Sequence, residues 1–86
     1  METKTTRATV LVTFNGEEKA LPYQPHEQVT AVLKRALDAF GISSNRHLMS
    51  LFTEAGAELP DHSSMEDAGV RPDDVLILRM SVVKGG

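Results

Sequence analysis

The dipeptide Asn15-Gly16, set between ATVLVTF and EEKALPY, constrains this chain more than any other feature. Asn-Gly between two strand-like runs calls for a type I′ turn, because both central residues of that turn need positive φ. A two-residue loop also dictates register. It pairs Phe14 with Glu17, Val12 with Lys19, Val10 with Leu21 and Ala8 with Tyr23, and residues paired this way share one face of a sheet. Ala8, Val10, Val12, Phe14, Leu21 and Tyr23 are therefore expected to face a core, with Leu11 on the opposite face and exposed or lightly covered.

The pattern then changes period. Val29, Val32, Leu33, Ala36, Leu37 and Phe40 recur at helical spacing, and Lys34, Arg35 and Asp38 occupy the other side. Gly41 stands where a helix C′ glycine belongs, whereas the start lacks a good Ser, Thr or Asp cap. One helix from Glu27 to Phe40 is expected. Ile42 to His47 reads as a loop and Leu48 to Phe52 as a third strand, with Met49 and Leu51 inward and Leu48, Ser50 and Phe52 outward. A turn at Gly56 leads to a short strand around Glu58-Leu59. Ser63-Ser64-Met65-Glu66 has capping-box spacing, which predicts one helical turn with Met65 and Ala68 inward. The run Val75-Leu76-Ile77-Leu78-Arg79-Met80 is apolar on both parities, as a central strand is.

One helix and a mixed sheet of four to five strands pack most economically as an α+β fold, with the helix across one face. Placing the first and last strands in the middle as parallel neighbours makes this a β-grasp. We expect a short flexible arm over 1–7, a domain over 8–80, and an extended tail over 81–86.

Composition limits what such a domain can do. With 86 residues there is one small core and little room for a large catalytic cleft. The absence of cysteine removes disulfides, thiolate metal sites and a catalytic thiol. A net charge of −3 lacks the basic field that nucleic acid or an anionic membrane attracts. No apolar run reaches the length of a membrane span or signal peptide. His26, His47 and His62 lie in separate loops without ligand spacing, so no metal site is expected. The acidic pairs Glu17-Glu18, Glu66-Asp67 and Asp73-Asp74 flank turns and read as solvated carboxylates rather than catalytic pairs. No phosphate loop or nucleophile elbow occurs. The chain is expected to be a cytoplasmic monomer, not an enzyme, with no bound cofactor.

The tail carries the chemistry. Gly85-Gly86 follow the strongest strand, with Ser81, Val82, Val83 and Lys84 as a spacer, and six extended residues from Ser81 reach about 20 Å. Glycine lets a backbone pass closely through a narrow site in any region of φ/ψ space. A carboxylate that must be adenylated, passed to a thiol and then to an amine inside other proteins has that need.

The hairpin, the Val29/Val32/Leu33/Ala36 helix face and the stretch Leu59 to Leu78, LPDHSSMEDAGVRPDDVLIL, together resemble ubiquitin over about residues 8 to 86. TVLVTFNGEEKALPYQPHEQVTAVL and TEAGAELP are similar to bacterial ubiquitin-like proteins from operons that also encode activating, conjugating and deconjugating enzymes. The resemblance implies attachment through Gly86. It also implies an activating enzyme that uses ATP, a cysteine conjugating enzyme, a peptidase that matures or removes the modifier, and target proteins as partners.

Ubiquitin has an aliphatic patch on its outer sheet face. The matching positions here are Leu11, Leu48, Phe52, Ile77 and Arg79, the candidate partner surface. Ser81, Val82, Val83 and Lys84 replace the basic tail of ubiquitin and are the segment an activating enzyme or peptidase would recognise. Among Lys4, Lys19, Lys34 and Lys84, Lys4 in the arm is the candidate acceptor for chain formation. The leading expectation is a protein modifier. The alternatives are a sulfur carrier ending in a thiocarboxylate, and a β-grasp adaptor that is not conjugated.

Overall fold

A computed structural model describes residues 8–81. The predicted arm and the tail residues Val82, Val83, Lys84, Gly85 and Gly86, like Lys4, lie outside the described residues. Four strands and one helix follow in the order β1 (Ala8–Phe14), β2 (Glu17–Tyr23), α1 (Val29–Ala39), a 3-10 turn at Arg46–Leu48, β3 (Met49–Thr53) and β4 (Val75–Met80). The strands form one mixed sheet ordered β2-β1-β4-β3, in which β1 and β4 are parallel central neighbours and both outer pairings are antiparallel. The sheet has four strands; Glu58 makes only an isolated bridge to Phe52.

The hairpin forms in the expected register, from Phe14 opposite Glu17 to Ala8 opposite Tyr23. Asn15 and Gly16 adopt φ of 54° and 86°, the positive values that the turn demands. Its inner face buries Val10, Val12, Leu21 and Tyr23. Pro22, which has no N–H to donate, sits on the outer edge strand where that lack does least harm.

The helix begins two residues later than its periodicity predicts, at Val29. Gln28 is extended and bridges Ser64, so its backbone serves a loop pairing instead of a helical turn. No side chain caps the start. Carbonyls from a distant loop do so: Ser63 O accepts from Val29 N–H at 2.8 Å, and Asp61 O accepts from Thr30 N–H and from the Thr30 hydroxyl. At the other end Ile42 N–H reaches Leu37 O and Gly41 N–H reaches Asp38 O, the paired bonds of a Schellman stop, with Gly41 at φ 69°. The face buried against the sheet is Val29, Val32, Leu33, Ala36 and Leu37. Phe40 follows the helix and closes one end of the core against Phe14, with ring centroids 5.5 Å apart.

β3 also begins one residue later than predicted, because Leu48 belongs to the 3-10 turn. The segment between β3 and β4 closes the remaining side of the core with Leu59, Met65 and Val70. Its predicted helical turn is present as a single turn, with Ala68 N–H bonded to Ser64 O. The capping hydroxyl is Ser64, which accepts from Asp67 N–H at 3.0 Å, and not Ser63, whose carbonyl is committed to α1.

Candidate functional site

The sheet has one face under α1 and one face that, among the described residues, carries no helix. Strand register places the candidate surface on the second. Leu11 lies beside Val75, and Thr13, Ile77 and Phe52 align across β1, β4 and β3. Leu11 and Ile77 are half-buried and Arg79 is exposed. Phe52 corrects the expectation that it stands in solvent: it is 5% exposed. Its ring is covered by the Arg79 guanidinium, 4.2 Å from the ring centroid, so the apolar surface is shielded by a cation. Leu48 stands apart from these four, half-buried in the 3-10 turn that leads into β3. Met80 is an apolar side chain the sequence reading did not single out. It is 50% exposed, at the last position of β4.

The root of the tail is built from residues that no local pattern connects. Ser81 extends the β3–β4 ladder by one bond, its N–H donating to Leu48 O at 2.7 Å. The Ser81 hydroxyl donates to Glu58 Oε2 at 2.8 Å, and the Ser50 hydroxyl donates to the same oxygen at 2.7 Å. Ser50 and Ser81 are 0% and 3% exposed. Buried hydroxyls require acceptors, and a carboxylate oxygen is a strong one. Ser50 and Glu58 were not singled out by sequence reasoning. They stand 8 residues apart, and Ser81 stands 23 from Glu58. Only the fold brings them together.

A second polar cluster lies where β2 meets α1. Arg35 forks onto Glu27 and also donates to Pro22 O at 2.8 Å, satisfying a carbonyl on the edge strand. These bonds hold the Glu27 carboxyl below its ordinary range, Arg35 first among the causes. Burial, with Asp74 and Asp73 adding to it, pushes the Tyr23 hydroxyl up.

Among the described residues no group of three or more His, Asp or Glu side chains could hold a metal ion. No helix among them is long and apolar enough to cross a membrane. The remaining depressions are open grooves, one of them between α1 and the 3-10 turn, lined by Leu33, Lys34, Leu37, Arg46 and His47.

Solved structures share this architecture. A protein designed de novo on the basis of ubiquitin superposes with a TM-score of 0.78 over 96% of this chain and 99% of its own, at 13% identity. The fold is ubiquitin-like. A chain in the crystal structure of a pParkin–pUb–UbcH7 complex matches with a TM-score of 0.74 and 16% identity, over 88% of this chain and 23% of that one. No family model and no curated protein matches the sequence. At these identities the ubiquitin-like likeness establishes the fold, and function has to be argued from the site.

Proposed function

We propose that this chain is a protein modifier attached to amines through the carboxylate of Gly86, whether that residue is encoded last or uncovered by a peptidase. The observation that carries the reading is the position of Ser81. In a ubiquitin-like body it continues the ladder of the central strand β4, and Gly85-Gly86 follow it four and five residues later in the sequence. Five residues past Ser81, extended, span about 17 Å, enough to enter a deep narrow site while the body stays outside.

The chemistry is supplied by partners. The Gly86 carboxylate oxygen attacks the α-phosphorus of ATP, giving an acyl adenylate and releasing pyrophosphate. A cysteine thiolate of the activating enzyme displaces AMP to form a thioester, which passes to a second cysteine on a conjugating enzyme. A target amine then displaces that thiol and forms the amide. This chain contributes the carboxylate, a glycine backbone that permits close approach, and a folded body to be recognised. It performs no catalysis and binds no cofactor. A peptidase reverses the amide by hydrolysis. Occurrence of the fold in a solved complex with pParkin, pUb and UbcH7 supports protein partners of this general kind. A bacterial cytoplasm, with the partner enzymes encoded nearby, is the setting that agrees with the sequence resemblance.

Intact mass spectrometry decides the reading. Incubation with candidate activating and conjugating enzymes and ATP should yield a thioester on the conjugating enzyme and then an amide on lysine, both absent for Gly86→Ala. Replacement of one terminal oxygen by sulfur would instead establish a sulfur carrier. Identical, unmodified masses for wild type and variant would leave the adaptor reading standing.

A further inference from the structure

We infer that the groove between the end of β2 and the 69–72 segment binds a neutral, extended peptide segment of a partner protein, and that the Tyr23 hydroxyl is the donor that holds it. The site is separate from the carboxylate of Gly86 and is usable whether or not that carboxylate is conjugated.

Tyr23 is 2% exposed, and among the described residues its hydroxyl has no hydrogen-bond partner. The other buried hydroxyls among them, Ser50 and Ser81, both reach Glu58. A buried donor without an acceptor is destabilising, and phenylalanine would fill the same space without that cost. Burial, reinforced by Asp74 and then Asp73, keeps the hydroxyl protonated and able to donate. On one side Tyr23 borders Glu27 and Arg35, which already satisfy each other. On the other it lines a groove of about 610 Å³ with Pro25, Gly69, Val70 and Pro72. Ligand sites run to roughly 300–1,000 Å³, so the groove has the capacity of one. An acceptor for Tyr23 has to come from that side.

The groove is already formed and holds few competing groups. Glu66 N–H bonds Pro25 O at 3.0 Å, Gly69 N–H bonds Glu66 O and Val70 N–H bonds Met65 O, so these backbone donors are committed. Pro25 and Pro72 have no N–H to offer. Gly69 has no Cβ, and one built there would meet nothing within 4 Å, which leaves open space against the main chain. At the rim stand one anion, Glu66, and one cation, Arg71, both exposed. Their charges cancel, while Asp74 and Asp73, close enough to act on Tyr23, oppose a phosphate or carboxylate ligand. A neutral peptide meets each of these conditions. One of its carbonyls accepts from Tyr23, an apolar side chain lies against Pro25, Val70 and Pro72, and its main chain passes over Gly69.

The probe is the capped peptide acetyl-Ala-Leu-Ala-methylamide, added to the full chain and followed by amide NMR shifts. The amides of Gly69, Val70 and Arg71 should move together and saturate with a Kd on the order of millimolar, as a ligand of that size allows. Over the same range the Tyr23 hydroxyl proton should shift downfield. Tyr23→Phe keeps the packing and removes the donor: its thermal midpoint should not fall, and its affinity for the peptide should drop about tenfold. Equal affinity in wild type and Tyr23→Phe overturns the role of the hydroxyl. Amides at 69–71 that stay still in tens of millimolar peptide overturn the site, as does acetate binding there more tightly than the peptide. A Tyr23→Phe chain that unfolds would show that the hydroxyl is bonded within the fold, and would overturn the inference as well.

Discussion

Arg35 grips Glu27 with both arms of its guanidinium, Nη2 to Oε2 at 2.7 Å and Nη1 to Oε1 at 3.1 Å. Oε1 also accepts from Gln24 N–H at 2.9 Å, and the Glu27 carbonyl accepts from Met65 N–H. Glu27 therefore ties α1 to the connection that precedes it and to the loop that caps it, and Arg35 adds the bond to Pro22 O on β2.

That tie has a pH signature. The Glu27 carboxyl is held below its ordinary 4.5 by Arg35, so its contribution to stability is present above that value and is lost as pH falls through the folded value. Arg35→Met should cost roughly 0.5–1 kcal/mol at pH 7. The gap between variant and wild type should narrow in urea titrations as pH falls from 4.5 through the folded value, leaving the share that the bond to Pro22 O supplies; a gap that stays constant would remove Glu27 as its source.

Tyr23 should report at the other end of the scale. Burial first, and Asp74 and Asp73 after it, raise its hydroxyl above the ordinary 10.0, so the stability it contributes is complete below that value and is lost as pH rises through the folded one. Comparing wild type with Tyr23→Phe, the wild type should lose more stability between pH 9 and 11. Parallel alkaline slopes would contradict this.

Gly16 stands at φ 86°, and a methyl group there would meet nothing within 4 Å. The cost of Gly16→Ala is therefore one of backbone conformation alone, about 1 kcal/mol, with an unchanged denaturant slope. Chemical denaturation gives both quantities. A larger loss with a changed slope would mean that the hairpin register had slipped.

Met65 is 0% exposed although it lies in a loop, whereas Leu11 on the strand is half-buried. Met65→Ala should cost about 2–4 kcal/mol through the cavity it leaves. Leu11→Ala should cost under about 1 kcal/mol. Equal losses in thermal unfolding would show that the outer sheet face is as tightly packed as the inner one.

Arg79 over Phe52 should couple by about 0.5–1 kcal/mol in a double-mutant cycle of Arg79→Ala and Phe52→Leu. A coupling near zero would mean that Phe52 owes its burial to the strands alone.

What could be read in the sequence was what depends on neighbours along the chain. The Asn15-Gly16 turn determined seven strand pairs, and the 3.6-residue period selected the buried face of α1. The start of α1 escaped because its N–H groups are satisfied by Ser63 and Asp61, more than thirty residues later, where no local cap marks them. Phe52 escaped for a related reason: period two assigns a face, but whether that face is wet depends on what Arg79 does above it. Ser50, Glu58 and Ser81 look like ordinary strand-edge polar residues until the sheet places them around one oxygen atom.

The parallel pairing of β1 with β4 also bears on when this molecule can exist during its own synthesis. β1 leaves the ribosome well before β4, yet three of its residues find their partners only at Val75, Leu76 and Ile77. Until those emerge, β1 of the Ala8–Tyr23 hairpin has an open edge. Folding is then a single late event that follows translation almost to residue 80, and a chain stalled earlier is a substrate for proteases and chaperones.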